Sequence, residues 1–163
     1  MVYLYIHLEY VSDTGIKAIA DSGTVAVLLP GAFYFLREKQ KPPIEMMRNA
    51  GVRMAIASDC NPGSSPIMSI QAIMNMACTL FQMTTREALD GVTINAAHAL
   101  GVADTVGSIT VGKNADMAVW NVQDSAELAY YMGGQPLIQL IKDGAVILSN
   151  ERDANHVEVS VSH

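Results

Sequence analysis

Cysteine is scarce, with only Cys60 and Cys78 in 163 residues, and nowhere do Lys and Arg gather into a basic run. Two cysteines make no disulfide framework, and they fit a reducing, cytoplasmic setting. A formal charge of -6 without a basic patch argues against nucleic acid and anionic membrane surfaces as partners and leaves small molecules as the expected ligands. No apolar run approaches the roughly 20 residues of a membrane-crossing helix. The apolar stretch at residues 2–6 is too short for the core of an export signal and has no positive residues before it. What is abundant is aliphatic bulk: half of the chain is apolar, enough to bury a core in one compact unit or in a piece of a larger one.

Over the first hundred residues, strand and helix patterns alternate. Residues 2–6, 24–29 and 52–57 read as strands, the second dense in β-branched and aliphatic side chains. Between them, 14–21 reads as a short helix stopped by Gly23, Pro30-Gly31 as the end of the second strand, and 43–50 as a helix opened by Pro43 and closed by Gly51. A longer helix is predicted over 67–82, with Met68, Met74, Met76 and Met83 in or near it supplying core packing. Thr84-Thr-Arg-Glu87 is a capping box, and a further helix at 93–100 before Gly101 pairs with the one it opens as a helical hairpin. From Gly107 the pattern becomes antiparallel β: strands at 108–111 and 116–121, then 138–148 folded about Asp143-Gly144. Residues 150–163 are expected to be frayed or weakly paired.

The third strand runs into Ser58-Asp-Cys-Asn-Pro-Gly-Ser64. Loops leaving the carboxyl ends of parallel strands build the active sites of α/β proteins, so a carboxylate at Asp59 reads as chemistry. Asn61 brings an amide, Gly63 a backbone open to close approach, Ser64 a hydroxyl, and Pro62 stiffness. The competing reading is an ordinary turn in which Asp59 or Ser64 caps the next helix. Cys60 has no basic neighbour in sequence to activate it and is read as a small packing residue rather than a reactive thiol. His98, among alanines in a helix, is read as packing or capping, and Lys113 and Asp116 as turn and sheet residues.

His7-Leu-Glu-Tyr10, Leu28-Leu-Pro-Gly-Ala-Phe-Tyr-Phe35, Asp59-Cys-Asn-Pro-Gly-Ser64, and Asn95-Ala-Ala-His98 with the later Gly112-Lys-Asn-Ala-Asp116 resemble the carboxyl-terminal part of the imidazolonepropionase family of metal-dependent amidohydrolases. The last pair of segments is common to many amidohydrolases; the Pro-Gly-Ala-Phe and Asn-Pro-Gly-Ser segments are more specific. The resemblance implies an α/β fold: the last three βα units of a TIM barrel in 1–106, a small β-sandwich segment in 107–149 and a tail in 150–163. It implies hydrolysis of 4-imidazolone-5-propanoate to N-formimino-L-glutamate in histidine breakdown. Asp59 would be a ligand to one divalent ion, Zn or Fe, and catalytic with His7, while Asn61, Gly63 and Ser64 would bind substrate.

Three βα units do not close an eight-stranded barrel, and the family's other metal ligands have no counterpart in this sequence. Family members carry an acidic residue where this chain has Ile6, so 1–6 and 150–163 are expected to depart from the family. The isolated chain is therefore expected to be inactive alone. A non-catalytic remnant or an assembly partner, forming a homo-oligomer or pairing through open strand edges, is the alternative, and another amidohydrolase such as a nucleobase deaminase a further one.

Overall fold

The aliphatic run at β2 (Val25–Leu28) sits at the centre of a parallel sheet and explains its arrangement. Its residues alternate between two buried faces: Ala26 and Leu28 join Ile16, Met47, Met54, Ile56 and Ile73 on one side, while Val25 and Val27 join Ala32, Ala55 and Ala99 on the other. A strand covered on both faces has no polar positions, which is why it reads as an unbroken apolar segment. The computed structural model describes residues 4–150.

The sheet order is β1-β2-β3, with β1 at Leu4–Tyr5 and β3 at Met54–Ile56, and all pairings are parallel. Crossovers are helical. Between β1 and β2 runs α1 (Asp13–Ser22), capped by Ser12 and closed by Gly23 at φ 67°. Between β2 and β3 come α2 (Pro30–Phe35) and α3 (Ile44–Asn49). Pro30 does end the strand, but it also occupies the first turn of α2, a helix absent from the sequence reading; a proline fits there because its missing N–H has no intrahelical partner to lose. Phe33 then packs edge-on against Phe81, ring centroids 5.1 Å apart.

After β3 the chain forms α4 (Ile70–Phe81), α5 (Thr85–Val92) and α6 (Ile94–Ala99). The helix predicted from residue 67 begins three residues later, because Ser69 caps it by accepting from the Ala72 N–H. Met74 and Met83 are core residues as expected, whereas Met68, 87% exposed before the helix, is not. The Thr84 capping box is formed in both directions. Thr93 closes α5 and opens α6, so the two predicted helices both form and share a single-residue joint. Gly91 of α5 lies against β3: a Cβ there would stand 3.3 Å from an Ile56 side-chain carbon and 3.4 Å from the Met54 carbonyl oxygen.

A second, antiparallel sheet of order β4-β5-β6 uses β4 (Met117–Trp120), β5 (Leu137–Lys142) and β6 (Ala145–Ser149), with the short α7 (Glu127–Tyr130) between the first two. Asp143 at φ 49° and Gly144 at φ 79° make the two-residue turn between β5 and β6, both positions in the left-handed region that such hairpins need. The strand predicted at 108–111 does not form. Ile109 and Val111 have the residue types of a strand, but both are exposed and no strand pairs with them among the described residues. Asn150 is not frayed: its N–H bonds to the Ile138 carbonyl and its amide to the Leu137 carbonyl. The rest of the predicted tail, and residues 2 and 3 of the first predicted strand, lie outside the described residues.

Candidate active site

Parallel strands place their carboxyl ends on one side, and β1 and β3 both run into residues with left-handed backbone there: His7 at φ 57° and Asp59 at φ 46°. For side chains with a Cβ this region is disfavoured, and such strain concentrates where function holds it. His7 is exposed, while the next residue, Leu8, is buried and anchors the turn. Because β2 lies between the two strands, their ends are roughly two strand spacings, about 10 Å, apart across the sheet. His7 and Asp59 therefore do not bond to one another; a small ligand could span them.

The Asp59 loop is closed by its own side chains. Asn61 donates from Nδ2 to the Asp59 carbonyl oxygen and to Ser64 Oγ, both at 2.7 Å. Its Oδ1 accepts from the Gly63 N–H at 2.8 Å and the Ser64 N–H at 2.9 Å. Only one orientation of the amide satisfies all four partners, since two of them are backbone donors. Ser64 Oγ–H in turn donates to Asp59 Oδ2 at 3.0 Å, and the Asn61–Ser65 backbone pair clamps the base of the loop. Asp59 is exposed, and its Oδ1 has no hydrogen-bond partner among the described residues. Neither Asp59 nor Ser64 caps α4; Ser69 does, which excludes the helix-capping role for both.

Asp59, Asn61, Gly63 and Ser64 are thus brought into one hydrogen-bonded cradle, with His7 apart from it. Ser65 belongs to the cradle and was not singled out from the sequence: fully buried, it is one serine of a Ser-Ser pair, and nothing local distinguishes it. Cys60, next to Asp59 in sequence, is exposed rather than packed. His98 is also exposed, in the last turn of α6, where a positive charge would complement the helix terminus; it does not pack. Cys78 is half-buried, and burial, then Glu87, pushes its thiol up. A groove of about 950 Å³ between α5–α6 and β4, lined by Leu89, Ile94, Leu100, Ile109, Met117 and Trp120, includes none of the cradle residues.

A catalytic zinc usually takes three protein ligands and a water. Among the described residues no group of three or more His, Cys, Asp or Glu side chains converges in a way that could hold a metal ion. By themselves they do not fit a complete metal centre; Asp59 offers one carboxylate.

A carboxylate on a loop at the carboxyl end of a parallel strand, followed by an antiparallel sheet, is the pattern against which the comparisons with known proteins stand. The amidohydrolase family model matches residues 1–147, and the chain belongs to that family. Within it, the chain is similar to the imidazolonepropionase of Shewanella putrefaciens (strain CN-32), 56% identical over 141 residues, which cover 86% of this chain and 35% of that protein. That of Shewanella baltica (strain OS223) is 55% identical over the same share of this chain. The chain spans about a third of the length of these curated relatives. In solved structures the fold is similar to an adenosine deaminase from Xanthomonas campestris with bound zinc (TM-score 0.77, 22% identity, 90% of this chain and 37% of that one). It is also similar to the E. coli guanine deaminase (TM-score 0.75, 15% identity, 90% of this chain and 39% of that one).

Proposed function

We propose that this chain is the carboxyl-terminal part of an imidazolonepropionase, which opens the ring of 4-imidazolone-5-propanoate with water to give N-formimino-L-glutamate. In this reading β1 to β3 and their helices are the last three βα units of a TIM barrel, and β4 to β6 belong to a small β-sandwich. The observation that carries it is the Asp59–Ser64 cradle, which holds an exposed carboxylate beside an amide and a hydroxyl at the carboxyl end of β3. The segments that form this cradle lie within a match of 56% identity to imidazolonepropionase.

The residues act on a small molecule as follows. Asn61, Gly63 and Ser64 form the substrate-binding wall: Asn61 shapes it, since its amide is engaged within the loop, and Gly63 and Ser64 orient the substrate against it. Asp59 takes a proton from the attacking water as its oxygen bonds to the ring carbonyl carbon, and returns it to the ring nitrogen as the C–N bond breaks. His7 donates to the carbonyl oxygen as negative charge develops there. Asp59 also serves as one ligand of a divalent ion, zinc or iron, whose remaining ligands come from outside the described residues. Two free cysteines fit a reducing, cytoplasmic setting.

A chimera tests this: residues 7–148 replace the matching third of the Shewanella putrefaciens enzyme, and loss of imidazolone absorbance is followed. Turnover is expected in the chimera and is expected to vanish in its Asp59→Asn variant, while the isolated chain shows none. A folded chimera without turnover, or full turnover in D59N, overturns the proposal.

A second reading, an assembly partner without catalysis, draws on β6, every residue of which is exposed, including Val146, Ile147 and Leu148 on an edge that is unpaired among the described residues. Size-exclusion over a range of concentrations separates them, since a monomer at every concentration excludes self-pairing.

A further inference from the structure

Ser65 is completely buried, and its hydroxyl has no hydrogen-bond partner among the described residues. Buried polar groups are rarely left so, and an exception calls for a reason. What surrounds this hydroxyl instead is space left across the loop in α2. A Cβ built on Gly31 would stand 2.7 Å from Ser65 Oγ and 2.8 Å from Ile73 Cδ1. Gly31 is not among the residues with positive φ, so its backbone asks for no glycine; as a helical residue it would be better served by alanine. Space alone requires the missing side chain.

Ser65 is also the residue whose N–H and carbonyl pair with Asn61, at 3.3 Å and 3.0 Å. Asn61 carries the four side-chain bonds that shape the cradle, and Ser64, the neighbour of Ser65, holds Asp59 Oδ2. The path from α2 to the carboxylate therefore runs Gly31, Ser65, Asn61, Asp59. We infer that Gly31 and Ser65 are a positioning pair: the bare Cα of Gly31 gives the Ser65 side chain its seat, and that seat fixes the loop carrying Asp59. Its bearing on catalysis rests on the function proposed above, but its test does not.

Hydrogen exchange on the full chain reads the pair without turnover. The Gly63, Ser64 and Ser65 amides report the cradle; the Ala26 and Ala57 amides, bonded to Arg53 and Leu28 carbonyls, report the sheet. Gly31→Ala is expected to speed exchange at the three cradle amides by about tenfold or more and to leave the two sheet amides unchanged. Adding Ser65→Gly, against a baseline of Ser65→Gly alone, is expected to restore cradle protection, whereas adding Ile73→Val, which relieves only the other overlap, is not. Should Gly31→Ala fail to fold, Ser65→Val fills the same gap from the loop side and is expected to give the same cradle-limited loss. Equal acceleration in cradle and sheet, no acceleration at all, or rescue by Ile73→Val rather than Ser65→Gly overturns the inference. None of these outcomes depends on the chemistry of Asp59, so a failure here leaves the functional proposal to its own test.

Discussion

Arg48 and Glu87, 39 residues apart in sequence, meet in a two-pronged ion pair: Nε–H donates to Oε1 at 2.6 Å and Nη2–H to Oε2 at 2.9 Å. The same Oε2 accepts the Thr84 N–H at 2.8 Å, so one carboxylate closes the capping box of α5 and ties that helix to α3. Arg48 above all, and then the Thr84 N–H and hydroxyl, hold the Glu87 carboxyl at about 2 against partial burial, which pushes it up.

A carboxyl lowered from 4.5 to about 2 stabilises the fold fully above pH 4.5, and that contribution is lost as pH falls toward 2. Glu87→Gln is therefore expected to lower the urea midpoint at neutral pH, with the gap from the parent closing as acid is added through that window. A gap that stays constant down to pH 2 would show that Glu87 does not set the acid limb.

Thr84 carries the other half of the capping box. Its replacement by alanine is expected to cost about 1 kcal/mol in urea unfolding, with Thr84→Ser recovering most of it. Loss of helical signal without a shift in midpoint would contradict this.

Gly107 tucks its backbone beneath α6 at φ 91°, where a Cβ would lie 2.6 Å from the Ala97 Cβ and 3.2 Å from the Thr93 carbonyl oxygen. Gly107→Ala combines overpacking with left-handed strain and is expected to cost about 3 kcal/mol. Ala97→Gly removes that overlap but costs about 1 kcal/mol of its own as a helical glycine, so Gly107→Ala is expected to cost less in the Ala97→Gly background than in the parent; an equal cost in both would show that overpacking against Ala97 is not part of the effect.

Asn61→Ala removes four hydrogen bonds from a surface loop. In the chimera it is expected to lower kcat/KM by about a hundredfold through misplacement of Asp59, with little change in the urea midpoint. Asn61→Asp keeps the acceptor for the Gly63 and Ser64 N–H groups but loses both donated bonds and sets a second carboxylate near Asp59. It is expected to be no better than alanine. Activity near the parent's in either variant would remove Asn61 from the site.

Local signals explain what was legible in the sequence. The capping box at Thr84, the turn at Asp143-Gly144 and the aliphatic run of β2 each state their conformation within a few residues. α2 was hidden because Pro30-Gly31 reads equally as a stop or as a first turn, and the choice falls to Ala32 and Phe33 burying themselves. α7 was missed despite Asp124-Ser-Ala-Glu127, where Glu127 Oε1 accepts the Gln123 and Asp124 N–H groups, a start signal the sequence did contain. Residues 108–111 have strand composition, but β structure is a property of pairs, and no pairing is visible in one segment. Asp59 and its loop could be read because strand end and turn chemistry adjoin in sequence. Ser65 could not, since what distinguishes it is Gly31, thirty-four positions earlier.

Since, among the described residues, the Asn61 amide bonds only to Asp59, Gly63 and Ser64, the cradle is shaped within the loop while β3 and Ser65 set its place. Movement of the end of β3 can then tilt the carboxylate as a unit, whereas α2 acts on the cradle through the seat of Ser65. The direction of the carboxylate thus follows the end of β3, and its immediate geometry follows the loop.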